Sequence, residues 1–284
     1  MRIGIVTFHC AYNFGSALQT WALLRTLEAR GHEAHVVDYR GRDFDQYRLV
    51  QTFSPKAFLA SLAFYDPNRR RRDSFERFIA ERLAPTARYG VDDEARMAAE
   101  LPDKFDCFVC GSDQIWNLDC TCGPVGPYFL SFAGDARRVA YAPSLSHTTF
   151  ASENFGSAQQ GQIAGWLSRF SAVSVREAST VPLFQPLCPV PIATCLDPTL
   201  LLDAADYDAI TTPVPEAKGT LFVYMLEKNP ELVAYAGRLA HELGASVSYV
   251  SKRRLDFGVP ARNYYGVGPS EFLGLVRGCS AVVT

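Results

Sequence analysis

The chain has 284 residues, with 28 Lys and Arg against 30 Asp and Glu, so its formal net charge is -2 at pH 7. This length allows two modest domains or one large one. The near-neutral charge, with a pI near 6.2, argues against a nucleic-acid partner. The N-terminus lacks the apolar region and cleavage site of a signal peptide, and no apolar run reaches the ~20 residues that span a bilayer. We therefore expect a soluble cytoplasmic protein.

The eight cysteines lie mostly inside apolar runs, which favours reduced, buried thiols over a disulfide framework. Cys107 and Cys110 form a C-x-x-C pattern that Cys120 and Cys122 follow, and such a spacing could hold zinc. However, "DCFVCG" is typical of a strand, in which residues three apart face opposite sides. We therefore expect no metal site here.

The N-terminal segment has a strand, loop, helix, strand pattern. "RIGIVTF" predicts a strand, "HCAYNFG" a loop, and "HEAHVVDYR" a second strand. Between them "SALQTWALLRTLEARG" predicts a helix, with Ser16 as its N-cap and Gly31 as its stop. Such a βαβ unit belongs to a parallel sheet, and the loop after its first strand lies at the edge where open α/β sheets bind ligands.

The next stretch, from residue 41 to 101, is mixed and mostly helical, with "RRRRDSFERFIAERL" as its clearest helix. The four arginines at 69–72 could meet an anionic acceptor or a membrane surface. A solvated helix start is the favoured interpretation of this run.

The alternation of strands and helices then resumes. "FDCFVCG", "RRVAYAPS" and "AVSV" predict strands, with the helix "SAQQGQIAGWLSRF" before the last of them. After the Pro-rich stretch "TTPVPEAKG", the strands "TLFVYML", "ASVSYVS" and "SAVVT" alternate with two helices, "NPELVAYAGRLAHELG" and "PSEFLGLVRGC", that each open on a proline.

This order predicts an α/β protein with two doubly wound, Rossmann-like domains, the second incomplete at its C-terminus. We expect an N-terminal domain at 1–210 with a helical insertion at about 41–101, a linker at 211–218, and a partial C-terminal domain at 219–284. Two such domains imply a cleft that the carboxyl ends of the strands face.

Three polar clusters follow predicted strands of the first domain, and they are the candidate binding residues. They comprise His9, Tyr12, Asn13 and Gly15; then Ser112, Asp113, Gln114, Trp116 and Asn117 after Gly111; and finally Arg176 with Glu177.

Each cluster also has a structural interpretation. Asn13 and Gly15 could merely form a turn or cap a helix, and Arg176 could be an ion-pair partner. The loop "GSDQIWN" favours a site, because amide groups bind hydroxyls, Asp113 can act as a base, and Trp116 offers a face to a sugar ring. Placement at a cleft favours Arg176 as an anion clamp, since its guanidinium suits a carboxylate or phosphate.

Six ordered segments of the chain resemble one family, the polysaccharide pyruvyl transferases. They are "GIVTFHCAYNFGSALQTWAL", "FVCGSDQIWN", "YFLSFA", "VAYAPSLS", "SVREAST" and "CLDPTLLL". The resemblance implies a glycosyltransferase-B-like fold and transfer of the enolpyruvyl unit of phosphoenolpyruvate to a sugar, typically leaving a pyruvate ketal and releasing phosphate. It implies no cofactor.

The resemblance also implies roles for residues. Arg176 matches the family's "V-R-E" segment and is expected to bind phosphoenolpyruvate, and Asp113 or Glu177 is expected to serve as the base. Asn13, Gln114 and Trp116 would orient the acceptor, a glycan or a lipid-linked sugar. A lipid-linked acceptor would bring the protein into peripheral contact with a membrane.

The expected general acid is a histidine in a Ser-Phe-His stretch that follows a segment like "V-V-T" in the family. Thr284 ends the chain just before that stretch, so we expect a truncated fragment with little activity. Two other functions stay open. They are a nucleotide-sugar glycosyltransferase in which Asp38 binds a ribose, and a catalytically silent glycan-binding protein.

Overall fold

The computed structural model describes residues 1–50, 54–146 and 155–284. The chain forms two compact units, Met1–Arg48 with Ile79–Asp203, and Leu49–Phe78 with Ala204–Thr284. Each unit contains one parallel sheet, so the predicted α/β class with two Rossmann-like domains is confirmed. The domain boundaries expected from the sequence stay a prediction. No helix in the described part of the chain is long and apolar enough to cross a membrane.

The sheet of the first unit has six strands. They are β1 (Arg2–Val6), β2 (Glu33–Val36), β3 (Cys107–Gly111), β4 (Arg137–Tyr141), β5 (Ala172–Val175) and β6 (Ile192–Thr194). Their order is β2-β1-β3-β4-β5-β6, and every neighbouring pair is parallel. The chain therefore reverses direction across the sheet between β1 and β3, which creates a topological switch point at their carboxyl ends.

The helices of the N-terminal part begin with α1 (Phe14–Ala29), which follows β1. The others are α2 (Pro55–Ala63), α3 (Tyr65–Arg82), α4 (Glu94–Glu100), α5 (Ser157–Leu167) and α6 (Val181–Phe184). The N-cap of α1 is Asn13 and not Ser16, because Asn13 Oδ1 accepts hydrogen bonds from the backbone amides of Gly15 at 2.8 Å and Ser16 at 3.4 Å. The helix thus starts earlier than predicted, and the Ser16 hydroxyl is left for another partner.

The second unit has a sheet of four strands. They are β7 (Leu221–Tyr224), β8 (Val247–Val250), β9 (Ala261–Asn263) and β10 (Ala281–Val283), in the order β10-β7-β8-β9. Its C-terminal helices are α7 (Ala204–Asp208), α8 (Pro230–Glu242) and α9 (Pro269–Gly278). Leu221, Val223, Val247 and Tyr249 form a core with Ala236 and Ala240 of α8. Sequence analysis missed β9, since all three of its residues are exposed and none has the apolar pattern of a buried strand.

Gly237 allows α8 to pack closely on the loop before β9. A Cβ at this position would clash with the backbone oxygen of Phe257, which cannot move away as a side chain could. We expect Gly237→Ala to lower the free energy of unfolding by about 1–3 kcal/mol, the usual cost of overpacking. Gly165→Ala in α5 is the matched control, because open space surrounds that position and alanine should gain about 0.5–1 kcal/mol there. Denaturant unfolding of both variants measures the difference, and an unchanged stability for Gly237→Ala would contradict the packing.

Candidate functional site

Hydrogen bonds join the loops after β1 and β3 at the switch point of the first sheet. Thr7 Oγ1 donates to the backbone oxygen of Ser112 at 2.9 Å. The hydroxyl of Ser16, in the first turn of α1, donates to Oδ2 of Asp113. The strand order and these two bonds therefore place Asp113 where open α/β sheets hold ligands.

Asp113 occupies a strained and partly buried position. Its φ of 65° lies in the left-handed region that non-glycine residues seldom adopt. The turn is held by the amide of Gln114, which donates to Asp113 Oδ1 at 2.8 Å, and by the amide of Ser144, which donates to the Asp113 carbonyl at 2.8 Å. Burial raises the pKa of the Asp113 carboxyl above its usual range. Strain and a raised pKa together are typical of a functional carboxyl group.

Asp197 forms the centre of a second group of contacts at the same edge. Its Oδ2 accepts hydrogen bonds from Ser112 Oγ at 2.9 Å and from Arg176 Nη1 at 2.8 Å. Its Oδ1 accepts from the amide of Thr199 at 3.0 Å and from the Thr199 hydroxyl at 2.8 Å. Burial alone would raise the pKa of Asp197, but the bonds from Thr199, Arg176 and Ser112 outweigh burial and hold the pKa below its usual range. Asp197 therefore acts as an ionised anchor with little capacity left for a substrate.

Glu177 lies beside this anchor and has one oxygen available. Its Oε1 accepts from Ser144 Oγ at 2.7 Å and from Arg176 Nε at 3.0 Å. Its Oε2 is buried and has no hydrogen-bond partner in the described ranges. A buried acceptor without a partner is costly in a folded protein, so Oε2 is a candidate contact for a ligand hydroxyl.

Arg176 is held in place from two sides. Its Nε and Nη1 atoms are bound to Glu177 and Asp197, and these contacts raise its pKa further although burial alone would lower it. The Nη2 atom contacts no acceptor among the residues that the structure describes. Arg176 is thus an ion-pair partner and also a fixed guanidinium with one amino group left over.

The loop after β3 is organised by its own side chains. Asn117 is buried, donating to Gln114 Oε1 at 2.8 Å and accepting from the Asp119 amide at 3.1 Å. Trp116 is fully buried, and both faces of its indole are stacked, against Phe129 at 5.1 Å and Phe184 at 5.2 Å. The expectation that Trp116 offers a face to a sugar is therefore wrong, because Trp116 belongs to the core.

The first predicted cluster is mainly structural. Tyr12 is buried against the rings of Phe44 and Tyr47. Asn13 uses its side-chain oxygen as the cap of α1, while Gly15 is exposed in the first turn. Tyr12 and the side-chain oxygen of Asn13 are thus engaged within the protein, and the substrate-binding role expected for them stays a prediction.

His9 also lies inside the protein. It has no exposed surface, and its ring nitrogens lie 3.2 Å from the Thr7 carbonyl and 3.1 Å from Asp38 Oδ1. Arg40 Nε donates to the same Asp38 oxygen at 2.7 Å. Burial would raise the pKa of Asp38, but hydrogen bonds with His9 and Arg40 lower it well below its usual range. The expected contact of His9 with substrate is therefore wrong for this conformation, since the ring is closed off from solvent.

The four cysteines at 107, 110, 120 and 122 are not grouped as metal ligands in the structure. Cys107 and Cys110 are buried in β3, and burial raises the pKa of both thiols, which disfavours the thiolate that zinc requires. Cys120 and Cys122 are exposed. Among the described residues, no three His, Cys, Asp or Glu side chains are grouped so that they could hold a metal ion.

Two of the site residues were missed by the sequence analysis. Asp197 follows β6, a strand of three residues between prolines that carries no clear apolar pattern. Ser144 follows β4 in the segment "APSLS". The signal that could have identified both is a polar residue two to three positions after a strand end, as for Asp113.

Opposite pH dependences should distinguish Asp113 from Asp38. Because the pKa of Asp113 is raised, its destabilising effect grows as the pH rises from the ordinary value of 3.8 through the raised pKa. The pKa of Asp38 is lowered, so its stabilising effect is complete above 3.8 and disappears as the pH falls through the lowered pKa.

We expect Asp113→Asn to raise the melting temperature relative to the wild type more at neutral than at acidic pH. Asparagine also tolerates the left-handed turn. Asp38→Asn should lose about 1.5–3 kcal/mol at neutral pH, because the buried Arg40 exchanges charge-assisted hydrogen bonds to a carboxylate for bonds to a neutral amide. Thermal unfolding across pH measures both trends, and parallel curves for the two variants would contradict the assignments.

Comparison with known proteins identifies the fold and the family. An alpha-glucosyltransferase in complex with UDP and a 13-mer DNA has a TM-score of 0.53 and 13% identity, covering 99% of this chain and 71% of its own. The same type of enzyme with UDP alone has a TM-score of 0.51, 13% identity and coverages of 99% and 72%. UDP-GlcNAc 2-epimerase from Neisseria meningitidis has a TM-score of 0.48, 10% identity and coverages of 99% and 76%. The first two similarities support the glycosyltransferase-B-like fold.

The sequence comparison is more specific. No curated protein sequence gives a significant match. Residues 13–284 match the family described as polysaccharide pyruvyl transferase, which confirms the resemblance seen in the sequence segments. The chain belongs to the polysaccharide pyruvyl transferase family.

Proposed function

We propose that the protein transfers the enolpyruvyl group of phosphoenolpyruvate to hydroxyls of a polysaccharide or glycan precursor, forming a pyruvate ketal of an exopolysaccharide or cell-envelope glycan. Membership of the family supports the type of transfer. The observation that carries the proposal is the fixed Arg176 guanidinium, held by Glu177 and Asp197 at the edge where Asp113 has a raised pKa.

Phosphoenolpyruvate suits the Nη2 atom of Arg176, which neither Glu177 nor Asp197 binds. Phosphoenolpyruvate carries a carboxylate and a phosphate, and both anions suit a guanidinium. Since Asp197 and Glu177 fix two of its nitrogens, Nη2 is pre-oriented and loses little freedom when it binds an anion. This arrangement supports Arg176 as a donor contact and Asp197 as the residue that positions it.

The chemistry needs a proton donor and a proton acceptor. Protonation of the methylene carbon of the donor creates an oxocarbenium-like centre at the adjacent carbon, to which the first acceptor hydroxyl adds. Cleavage of the bond to the phosphate oxygen then releases phosphate, and a second hydroxyl closes the ketal. A base must accept the hydroxyl protons, and the raised pKa of Asp113 makes its carboxylate a stronger proton acceptor than an ordinary aspartate.

The acceptor would be held by the groups around Asp113. Glu177 Oε2 can accept a hydrogen bond from a sugar hydroxyl. Gln114 is partly exposed in the same loop, and its Nε2 donates to none of the described residues. These contacts favour a neutral, hydroxyl-rich ligand.

The glycosyltransferase alternative has less support in the site. It depends on Asp38 as a ribose ligand, but Asp38 is 5% exposed, and His9, Arg40 and Arg88 contact its carboxylate. The similarity to UDP-bound enzymes is one of fold.

Replacement of Arg176 should weaken donor binding. We expect Arg176→Lys to lower the affinity for phosphoenolpyruvate roughly tenfold or more, because lysine keeps the charge but cannot reach two carboxylates and the donor together. Isothermal titration with phosphoenolpyruvate measures this loss. Arg137→Lys is the control, because Arg137 is exposed at the amino end of β4, whereas the site lies at the carboxyl ends of the strands. Equal affinities for wild type and Arg176→Lys would rule out the donor contact.

Replacement of Asp113 should affect turnover rather than donor binding. Asp113→Asn is expected to lower kcat about 10²- to 10⁴-fold, the usual contribution of a general base, while phosphoenolpyruvate affinity is kept or rises, because asparagine carries no charge that repels the anion. Phosphate release with a panel of sugar acceptors measures turnover, and mass spectrometry detects the ketal.

A matched variant separates the base from an acceptor contact. Glu177→Gln should mainly raise the acceptor KM. The acidic limb of the wild-type kcat/KM profile should lie above pH 3.8, the ordinary aspartate pKa. Full turnover by Asp113→Asn would show that Asp113 is not the base.

A further inference from the structure

Helix α2 carries its apolar side chains outward. Phe58, Leu59 and Leu62 are 43%, 65% and 50% exposed, whereas the polar Ser61 is 6% exposed. Residues three or four apart share one side of a helix, so Leu62 lies beside both Phe58 and Leu59. A helix packed on a protein core shows the opposite pattern. These side chains are therefore available to a partner outside the described part of the chain.

The apolar surface extends beyond the helix. Phe64, between α2 and α3, and Tyr65, the first residue of α3, are 38% and 39% exposed. We use the name outer apolar face for the five residues Phe58, Leu59, Leu62, Phe64 and Tyr65. Exposed apolar groups that lie this close together in the chain are typical of interaction sites.

One cation contacts this face, and two more follow it in the chain. Lys252, in the loop after β8, places its Nζ atom 5.6 Å from the centre of the Phe64 ring, and Arg253 and Arg254 follow it. All three side chains are exposed, and within the described ranges none of them forms an ion pair. Residues 54–65 contain no Asp or Glu. The nearest acidic neighbours in sequence are Asp66, which lies 3.9 Å from Arg69, and Asp256.

We propose that the outer apolar face and residues Lys252, Arg253 and Arg254 dock the protein on an anionic lipid bilayer. Phe and Leu side chains enter the boundary between headgroups and acyl chains, while Lys and Arg meet lipid phosphates. Exposed Lys is depleted from protein interfaces, so the combination favours a lipid surface over a protein partner. All these residues belong to the second unit, and the proposal does not depend on the proposed reaction.

Vesicle flotation of the full chain without substrates tests the proposal. We expect binding to vesicles of phosphatidylcholine mixed with phosphatidylglycerol, weaker binding to phosphatidylcholine alone, and release at high salt. Leu59→Ser combined with Leu62→Ser should lower the partition coefficient on the order of tenfold. Lys252→Glu combined with Arg253→Glu should remove the preference for phosphatidylglycerol.

Matched controls in α8 and at its C-cap keep the test specific. Leu243→Ser removes a leucine that is 57% exposed, and Arg238→Glu reverses an exposed charge. Both controls should bind vesicles like the wild type, and all variants should keep the wild-type melting temperature. Absence of wild-type binding, or equal binding by the leucine variants, would overturn the proposal. If the wild type forms a dimer and does not bind vesicles, and the leucine variants are monomeric, the face is instead assigned to self-association.

Discussion

The carboxylate of Asp197 connects the ends of three strands of the first sheet. Ser112 follows β3, Arg176 follows β5, and Asp197 itself follows β6, with Thr199 closing its turn. Hydrogen bonds to an ionised partner are stronger than neutral ones, and a fully satisfied buried carboxylate is rigid. Asp197 fixes the Nη1 side of the Arg176 guanidinium, and Glu177, which Ser144 also binds, fixes its Nε side. Loss of Asp197 would leave a partly buried guanidinium with one partner.

The first unit contains three carboxyl groups whose pKa values are shifted in opposite directions, and two of them, Asp113 and Asp197, interact with each other. Asp38 and Asp197 receive enough hydrogen bonds for their pKa values to fall despite burial. Asp113 is buried with fewer compensating contacts, so its pKa rises. Environments that separate the pKa values of neighbouring carboxyl groups are characteristic of acid–base sites. The left-handed turn at Asp113 adds backbone strain to this residue alone among the three.

Much of the fold could be predicted from the sequence, because long strands and helices carry clear apolar patterns. The βαβ unit of β1, α1 and β2 is an example, as is α8 with its Asn229 cap, whose Oδ1 accepts from the Leu232 amide at 2.9 Å. The short strands β6 and β9 were missed, since each has too few residues for a period to show.

The arginine run at 69–72 does not act as one unit in the structure. Arg72 is paired to Asp73 at 2.8 Å, whereas Arg71 is stacked on Tyr265.

The functional roles of the candidate site residues stay predictions, but their positions in the fold can be compared with the sequence. Polar residues after strand ends correctly indicated Asp113, Arg176 and Glu177 as neighbours of one sheet edge. Sequence alone cannot show which polar or aromatic side chain turns inward, and Trp116 and His9 both do. It also cannot show that Ser16 and Ser144, far apart in the chain, bind Asp113 and Glu177. Such contacts depend on the three-dimensional arrangement of the loops.

The charge balance of this edge constrains the proposed reaction. One guanidinium faces the carboxyl groups of Asp197, Glu177 and Asp113, so an anionic donor would enter a site that already carries negative charge. The raised pKa of Asp113 reduces that repulsion, because a protonated carboxyl group is neutral. Donor binding should in turn raise this pKa further and favour uptake of a proton, since binding and protonation are linked. Asp113 would then have to lose that proton before it could accept one from an acceptor hydroxyl. In the proposed reaction the donor therefore binds most readily when Asp113 is protonated, whereas transfer requires the carboxylate, and the two requirements meet only near the raised pKa.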